Sequence, residues 1–253
     1  MNLPLILIAG WGHTGKAMLR LKKELAGYPI QVTSTGELWL NQSSGALPHS
    51  PGLSRYAAGL HNLLAIRQPP DGRVGVIGWS MGGIVALETA RKYPDLLQRL
   101  MIISGTARFR AGNDEPPGVS ASVLRAMALG LRRTPDKVLA AYYDQVHAPQ
   151  SVPVAEAAGQ SQAIALLDRD ELLQGLDYLQ RIDLRDGLNQ LAVPTLVVHG
   201  QEDRIVPWQA GEWLSRALGA SQWRCYAGFG HALPIQAATR LAEDIRAFLG
   251  DTA

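Results

Sequence analysis

The turn at residues 78–82, with the sequence Gly-Trp-Ser-Met-Gly, constrains the fold of this chain more than any other segment. It follows an apolar run at residues 74–77 and precedes a helical pattern at residues 84–93. A serine with a glycine two residues away on each side is typical of a sharp strand-to-helix turn, because bulkier residues would hold the strand and helix apart. We therefore predict that Ser80 is a nucleophile beside a helix N-terminus, which favours negative charge. A tight turn without any chemistry is the alternative.

Apolar runs and helical patterns alternate along most of the chain. Short apolar runs predict six strands, at residues 3–9, 29–34, 74–77, 100–104, 193–199 and 223–227. Apolar residues at helical spacing predict helices at residues 14–25, 53–66, 84–93, 208–218 and 235–249. We interpret residues 36–52, which are rich in Ser, Gly, Pro and Asn, as a loop. This alternation predicts an α/β fold, a mostly parallel sheet of about six strands with helices on both faces.

One long segment interrupts the alternation. Residues 105–191 contain no convincing strand, and helical patterns occur at residues 121–131, 135–146, 154–166 and 171–181. Helices inserted between two strands of a regular sheet indicate a cap, not a second independent domain. The predicted organisation is a core domain formed by residues 1–104 and 192–253, with a helical cap at residues 105–191.

Composition excludes several classes of protein. The chain has 24 Lys and Arg against 22 Asp and Glu, and a net charge of +2 argues against a dedicated nucleic-acid-binding surface. A single cysteine, Cys225, cannot form an internal disulfide or a Cys-rich metal site. The longest apolar run, residues 3–9, is too short to cross a bilayer. We expect a cytoplasmic monomer that needs no metal or organic cofactor.

A nucleophilic serine requires a base, and the base requires an orienting acid. His231 follows the last predicted strand, and Asp203 follows the one before it. Ligands of open α/β sheets gather where strands end, and the chain order Ser, Asp, His is typical of a serine hydrolase on such a sheet. We predict Ser80, Asp203 and His231 as the catalytic residues, and Glu202 is the alternative acid.

The other histidines have simpler interpretations. His199 closes a predicted strand and is expected to be packed and hydrogen-bonded. Structural roles are also expected for His49, His61 and His147. His13 lies in the turn after the first strand and is at best a pocket residue, because it precedes the serine.

Two backbone N–H groups are needed to bind the oxyanion of a tetrahedral intermediate. Met81 follows the nucleophile, and Trp11 lies between two glycines after the first strand, so we predict these two donors. The same turn, residues 10–17, nearly matches a phosphate-binding loop. Ala17, however, stands where a Ser or Thr hydroxyl must hold magnesium, so nucleotide binding is disfavoured.

The cap contains a cationic segment. Residues 120–135 include Arg125, Arg132 and Arg133 and no acidic residue. Arg125 and Arg132 are seven positions apart and share one helix face. Such a face could bind an acidic partner, or it could be an ordinary solvated surface, and charge alone leaves both interpretations open.

With these residues identified, the chain resembles the α/β-hydrolases, and more closely the BioH-type carboxylesterases that cleave the methyl ester of pimeloyl-acyl carrier protein in biotin synthesis. The matching segments are Gly10-Trp11-Gly12, residues 78–83, 107–109 and 182–185, Val193-Pro194, Asp203 with Val206-Pro207, and His231-Ala232. The sequence differs at Ala9, where the family usually has a histidine, and at residues 33–50, which lack the family's usual loop pattern.

The resemblance implies that Ser80 is the nucleophile, His231 the base and Asp203 its orienting acid, with oxyanion donors at Trp11 and Met81. It also implies a substrate pocket, lined by Trp11, Trp79 and Phe109. The cap arginines, Arg125, Arg132 and Arg133, would then meet the acidic carrier protein. Two other functions stay open, a broad esterase or thioesterase acting on small acyl substrates, and a non-catalytic ligand-binding protein with the same fold.

Overall fold

The computed structural model of the chain describes residues 2–41, 52–67, 73–151 and 166–250. One parallel sheet forms its centre, with the strand order β2-β1-β3-β4-β5-β6. The strands are β1 (Leu5–Ala9), β2 (Ile30–Ser34), β3 (Val74–Trp79), β4 (Leu97–Ile103), β5 (Thr195–Gly200) and β6 (Ser221–Tyr226). The predicted α/β class and the six-strand parallel sheet are confirmed.

Helices connect these strands. In the part of the chain before β4 they are α1 (Leu19–Glu24), α2 (Thr35–Asn41), α3 (Arg55–Arg67) and α4 (Met81–Lys92). The later helices of the described segments are α5 (Ala121–Arg133), α6 (Pro135–His147), α7 (Arg169–Arg181), α8 (Trp208–Ala217), α9 (Leu233–Gln236) and α10 (Ala238–Leu249). Every residue of β1, β3 and β5 is buried, as expected for strands that are covered on both faces.

Strand register brings the catalytic candidates to one edge of the sheet. Trp79 at the end of β3 pairs with Ile103 at the end of β4, and Ile103 pairs in turn with Val198. Gly200 and Tyr226 pair at the ends of β5 and β6. The segments that follow β3, β5 and β6 therefore leave the sheet side by side at its carboxyl edge, where ligands of such sheets bind.

The prediction of a loop from residue 36 onward was wrong for helix α2. Ser34 precedes this helix, and its Oγ accepts a hydrogen bond from the Glu37 backbone N–H at 3.2 Å. The Glu37 carboxylate accepts one in return from the Ser34 backbone N–H at 2.9 Å. This reciprocal pair is a capping box, which satisfies two backbone donors that a helix start otherwise leaves unpaired. The stabilisation of the helix start by this Ser-x-x-Glu pattern is larger than the loss of helix stability caused by Gly36.

The described residues between β4 and β5 contain helices α5, α6 and α7 and no strand. A further helix predicted at residues 154–166 lies outside the described residues except for its last position. The division into a core and a cap, with boundaries at residues 104 and 192, stays a prediction. No helix in the described ranges is both long enough and apolar enough to cross a membrane.

The start of α7 places an acidic side chain against the core. Glu171 is 3% exposed, and its carboxylate lies beside Gly36 of α2. One of its oxygens, Oε1, has no hydrogen-bond partner among the described residues. Burial, with a smaller contribution from Asp168, raises the pKa of Glu171 to about 7. The folded chain therefore holds this proton at pH values where the unfolded chain has released it.

We expect Glu171 to destabilise the fold progressively as the pH rises from about 4.5 to about 7. In this interval the native state binds more protons than the unfolded state, so the free energy of unfolding falls by about 1–3 kcal/mol. The Glu171→Gln variant should lack this contribution and unfold at a higher temperature than the parent at pH 8. The control is Asp170→Asn, at an exposed position of the same helix. Equal pH dependence of the melting temperature in Glu171→Gln and the parent would contradict this prediction.

Candidate active site

Ser80 occupies a strained turn between β3 and α4. Its φ is 57° and its ψ is −124°, a conformation that non-glycine residues rarely adopt and that is concentrated at functional sites. A side chain at Gly78 would lie 2.4 Å from the Gly82 carbonyl oxygen. One at Gly82 would lie 2.5 Å from the carbonyl oxygen of Ile8. Both glycines are therefore required by close backbone approach, as the sequence pattern predicts.

The first turn of α4 faces the serine. The Ser80 carbonyl accepts hydrogen bonds from the N–H groups of Gly83 and Ile84. Met81 is the first residue of the helix, so its N–H has no partner within the helix and can bind an anion. Gly10 lies directly opposite, where a Cβ would be 2.8 Å from the Ser80 Cβ and 3.3 Å from the Met81 nitrogen. Trp11, the next residue, is thereby held near the nucleophile.

Asp203 and His231 form the expected pair. The two atoms His231 Nδ1 and Asp203 Oδ2 are 2.7 Å apart, and both side chains are fully buried. Asp203 Oδ1 accepts hydrogen bonds from the backbone N–H groups of Ile205 and Val206, at 2.8 and 2.9 Å. Burial alone would raise the pKa of Asp203, but His231 and His199 outweigh it and hold the pKa well below its usual range. The acid is therefore ionised and can orient the base.

The backbone of His231 is anchored to the ends of two strands. Its carbonyl oxygen accepts hydrogen bonds from Trp79 Nε1 at 2.9 Å and from Ser104 Oγ at 3.2 Å. The second ring nitrogen, Nε2, is buried and has no hydrogen-bond partner among the described residues. In the structure, no hydrogen bond joins His231 Nε2 to Ser80, both of which are described residues. The free nitrogen can accept the serine proton when substrate arrives, since such contacts often tighten only in the reacting complex.

A second histidine contacts the acid. His199 Nε2 lies 3.1 Å from Asp203 Oδ2 and 3.1 Å from the Val206 carbonyl oxygen, and the residue is fully buried. It is packed and hydrogen-bonded, as the sequence predicts, and it also contacts the Asp203 carboxylate, which the sequence did not predict. No cluster of three His, Cys, Asp or Glu side chains in the described ranges could hold a metal ion.

The remaining histidines lie outside this pair. His61 packs against the ring of Tyr93, and His147 is buried next to Gln236. His49 lies outside the described residues. His13 packs on Trp79 with ring centroids 4.5 Å apart.

A cavity of about 710 Å³ opens over Ser80, and helices α5, α6 and α7 form much of its wall. Trp11 and Phe109 line it, and their role in binding substrate stays a prediction. Its walls are mostly apolar, and the polar exceptions include Lys137 and Arg204. A cavity of this size with mostly apolar walls and a few polar groups is typical of a small-molecule site.

Trp79 is not among the residues that line this cavity. Its side chain is completely buried, and its indole N–H binds the His231 carbonyl instead. The expectation that it contacts substrate is therefore corrected: the Trp79 indole anchors the backbone of His231 instead. Three further lining residues, Tyr142, Lys137 and Arg204, escaped the sequence analysis, because no motif distinguishes them and only the fold brings them to Ser80.

The three cap arginines lie on the outer surface of α5. Arg125, Arg132 and Arg133 are exposed, and none forms an ion pair within the described ranges. None of them lines the cavity. They are free to meet a partner, and a role in docking stays a prediction.

Glu202, the alternative acid, is exposed, and its carboxylate makes no hydrogen bond among the described residues. We therefore expect the Glu202→Gln variant to retain kcat within about twofold, since surface substitutions without specific contacts have small effects. Steady-state hydrolysis of a p-nitrophenyl ester measures this. A loss of more than a hundredfold would show that Glu202 has the role assigned to Asp203.

Comparison with known proteins gives a family and a fold. The family model described as serine aminopeptidase, S33 (Hydrolase_4) matches residues 5–236. A pimeloyl-[acyl-carrier protein] methyl ester esterase of Nitrosomonas europaea is 31% identical over 180 residues, which cover 67% of this chain and 68% of that protein. One with the same name from Neisseria meningitidis is 32% identical over 161 residues, 60% of this chain and 59% of that protein.

A solved structure extends the likeness to nearly the whole chain. An esterase from Exiguobacterium antarcticum superposes with a TM-score of 0.84, covering 98% of this chain and 92% of that one. Its sequence is 17% identical, so this similarity concerns the fold alone.

Proposed function

Since the chain belongs to the α/β-hydrolase family described as serine aminopeptidase, S33, and is related to pimeloyl-[acyl-carrier protein] methyl ester esterases, we propose that it cleaves the methyl ester of a pimeloyl chain borne by acyl carrier protein. The chain is a carboxylic ester hydrolase. The observation that carries the mechanism is the 2.7 Å bond between Asp203 and His231 on the same sheet edge as the strained Ser80.

In the proposed first step, Ser80 Oγ attacks the ester carbonyl carbon while its proton passes to His231 Nε2. The carbonyl oxygen becomes an oxyanion, which the N–H groups of Met81 and Trp11 stabilise. Asp203 stabilises the imidazolium that forms. Collapse of the intermediate breaks the bond between the carbonyl carbon and the alkoxy oxygen, and His231 protonates that oxygen. Methanol then departs, and the acyl group stays bound to Ser80 as an acyl-enzyme.

The second step reverses these roles with water. His231 removes a proton from a water molecule, whose oxygen attacks the acyl-enzyme carbonyl. The same two N–H groups stabilise the second oxyanion. The bond to Ser80 Oγ then breaks, the proton returns to the serine, and the free carboxylic acid leaves.

The cap supplies the contacts proposed to select a carrier-bound substrate. Arg125, Arg132 and Arg133 present unpaired positive charge outside the cavity, and Lys137 and Arg204 add positive charge at its lining. An acidic carrier protein would be attracted to this surface while its acyl chain enters the apolar cavity. Hydrolysis of the carrier-bound methyl ester by the purified chain, followed by mass spectrometry, tests the proposal directly.

Charge reversal separates carrier recognition from chemistry. We expect Arg132→Glu with Arg133→Glu to lower kcat/KM on the carrier-bound ester by about tenfold or more, because interface charges control association. Hydrolysis of a free methyl ester should be unchanged. The matched control is Lys22→Glu with Lys23→Glu, an adjacent pair of exposed lysines on α1, outside the predicted cap. Equal losses in the two double variants, or equal losses on both substrates, would contradict docking at the cap.

Two alternatives are distinguished by the same assays. A broad esterase or thioesterase would cleave small free esters or thioesters at least as fast as the carrier-bound ester. A ligand-binding protein would cleave none, although an Asp203–His231 pair at the same sheet edge as Ser80 has no evident use in a receptor. A cytoplasmic location and a monomeric state stay predictions.

A further inference from the structure

Three hydrogen bonds hold Trp11, and two of them come from cap helices. The indole Nε1 donates to the Leu172 carbonyl of α7 at 2.8 Å. The Trp11 carbonyl accepts from the Tyr142 hydroxyl of α6 at 3.1 Å and faces His13 Nδ1 at 2.9 Å. The next carbonyl, that of Gly12, accepts a hydrogen bond from the Tyr143 hydroxyl. Consecutive tyrosines of α6 thus bind consecutive carbonyls of the turn after β1.

We propose that Tyr142 and Tyr143 are positioning residues, which hold the Trp11 N–H in place as an oxyanion donor. This inference rests on the function proposed above, in which that N–H binds the oxyanion. The cap then has a second task besides covering the substrate. It supports one of the two oxyanion donors, the Trp11 N–H. The other donor, the Met81 N–H, belongs to helix α4, outside the cap.

The protonation states of all three groups support donation to these carbonyls. Burial raises the pKa of Tyr142 and of Tyr143 far above neutrality, so both phenols keep their protons. Burial lowers the pKa of His13 to about 3, although its bond to the Trp11 carbonyl opposes this shift. The imidazole is therefore neutral, and because its Nδ1 faces a carbonyl, that nitrogen carries the proton.

Trp11 needs such support because of its neighbours. It lies between Gly10 and Gly12, and Gly12 has a φ of +69°. Glycine permits many backbone conformations, so the peptide groups around Trp11 would otherwise rotate easily. Fixing the carbonyl and the indole on either side of the Trp11 Cα restricts this rotation. An oxyanion donor has full effect only when it is held in place before the reaction.

Tyr142 also links this support to the substrate. Its ring lines the cavity together with Trp11 and Ser80, and it packs edge-on against Trp11 with ring centroids 4.9 Å apart. A movement of α6 away from the core would break both tyrosine hydrogen bonds at once. Full activity therefore requires that α6 keep its two tyrosine hydrogen bonds to the turn after β1.

The test removes one hydroxyl at a time and keeps each ring. We expect Tyr142→Phe to lower kcat about tenfold, and Tyr142→Phe with Tyr143→Phe more, because a displaced donor costs less than the 10²–10³-fold of a deleted one. KM for a p-nitrophenyl ester should stay within about twofold, since the rings remain. Affinity for a boronic acid that mimics the tetrahedral intermediate should fall in parallel with kcat/KM.

The matched control is Tyr178→Phe. This tyrosine of α7 also joins the cap to the core, through a 2.9 Å hydrogen bond from its hydroxyl to Glu88 Oε2, and among the described residues its hydroxyl makes no hydrogen bond to the turn after β1. It should lose stability without losing kcat. Equal losses of kcat in Tyr178→Phe and Tyr142→Phe would overturn the inference, because the effect would then come from general loosening of the cap.

A second measurement does not depend on activity. Hydrogen exchange at the Trp11 backbone amide, followed by NMR, should accelerate in Tyr142→Phe and stay unchanged in Tyr178→Phe. Unchanged exchange together with kcat within twofold of the parent would refute the positioning role. If the parent chain hydrolyses no ester, the proposed function fails, and the exchange rates alone decide whether the tyrosines hold Trp11.

Discussion

Replacement of Ser80 by alanine should lower kcat for ester hydrolysis by about 10⁴-fold or more, because no other described residue lining the cavity is a serine, threonine or cysteine that could form the acyl-enzyme. Alanine keeps the Cβ of serine, so the φ of 57° and the packing between Gly78 and Gly82 are preserved. The variant should therefore fold with a melting temperature close to that of the parent. The measurement is single-turnover hydrolysis of a p-nitrophenyl ester.

Covalent labelling makes the serine assignment sharper. A serine-reactive phosphonate should add its mass to the parent chain and not to Ser80→Ala, while Ser122→Ala, at an exposed serine of α5, should label normally. Labelling of Ser80→Ala, or activity within tenfold of the parent, would disprove the nucleophile assignment.

Conversion of Asp203 to asparagine should lower kcat by about 10⁴-fold, because it stabilises the wrong tautomer of His231. Two backbone N–H groups point at Asp203 Oδ1, so the amide oxygen of asparagine must occupy that position. The amide nitrogen then replaces Oδ2 and presents hydrogens to His231 Nδ1. Nδ1 must accept instead of donate, which moves the ring proton to Nε2. A protonated Nε2 cannot take the proton of Ser80.

The same geometry defines the controls for this variant. Asp203→Asn keeps the size of the side chain, and its melting temperature reports any damage from the lost charge between His231 and His199. Glu202→Gln serves as the neighbouring exposed carboxylate. If Asp203→Asn retained more than a tenth of the parent kcat in a folded protein, the acid would have to be sought elsewhere.

Residues whose role follows from local chain geometry could be predicted from the sequence. The strained serine needs two glycines within two residues, so residues 78–82 identify it without any knowledge of the fold. Asp203 and His231 follow strands, and parallel strands end at one edge, so their convergence also follows from the pattern. The capping box at Ser34 and Glu37 was equally local, and the composition of the following residues hid it.

Residues whose role depends on distant contacts could not be predicted. Tyr142 binds the Trp11 carbonyl across 131 positions, and Trp11 binds the Leu172 carbonyl across 161. Nothing in the local sequence of α6 marks this tyrosine. Trp79 adjoins the nucleophile in the chain, yet its side chain points into the core and not into the cavity. The resemblance to a known family implied contact with substrate, whereas the alternation of side-chain direction along a strand opposes it.

The anchoring of His231 by Trp79 and Ser104 has a consequence for engineering. Trp79 lies at the end of β3 and Ser104 directly after β4, so both residues are outside the cap helices. Ser80 itself belongs to the turn after β3. The proposed nucleophile and the backbone of the proposed base are thus both held by the sheet and not by the cap. A transplanted cap could change which acyl groups enter without dislocating the serine or its base, provided that the graft supplies hydroxyl donors where α6 now reaches the turn after β1.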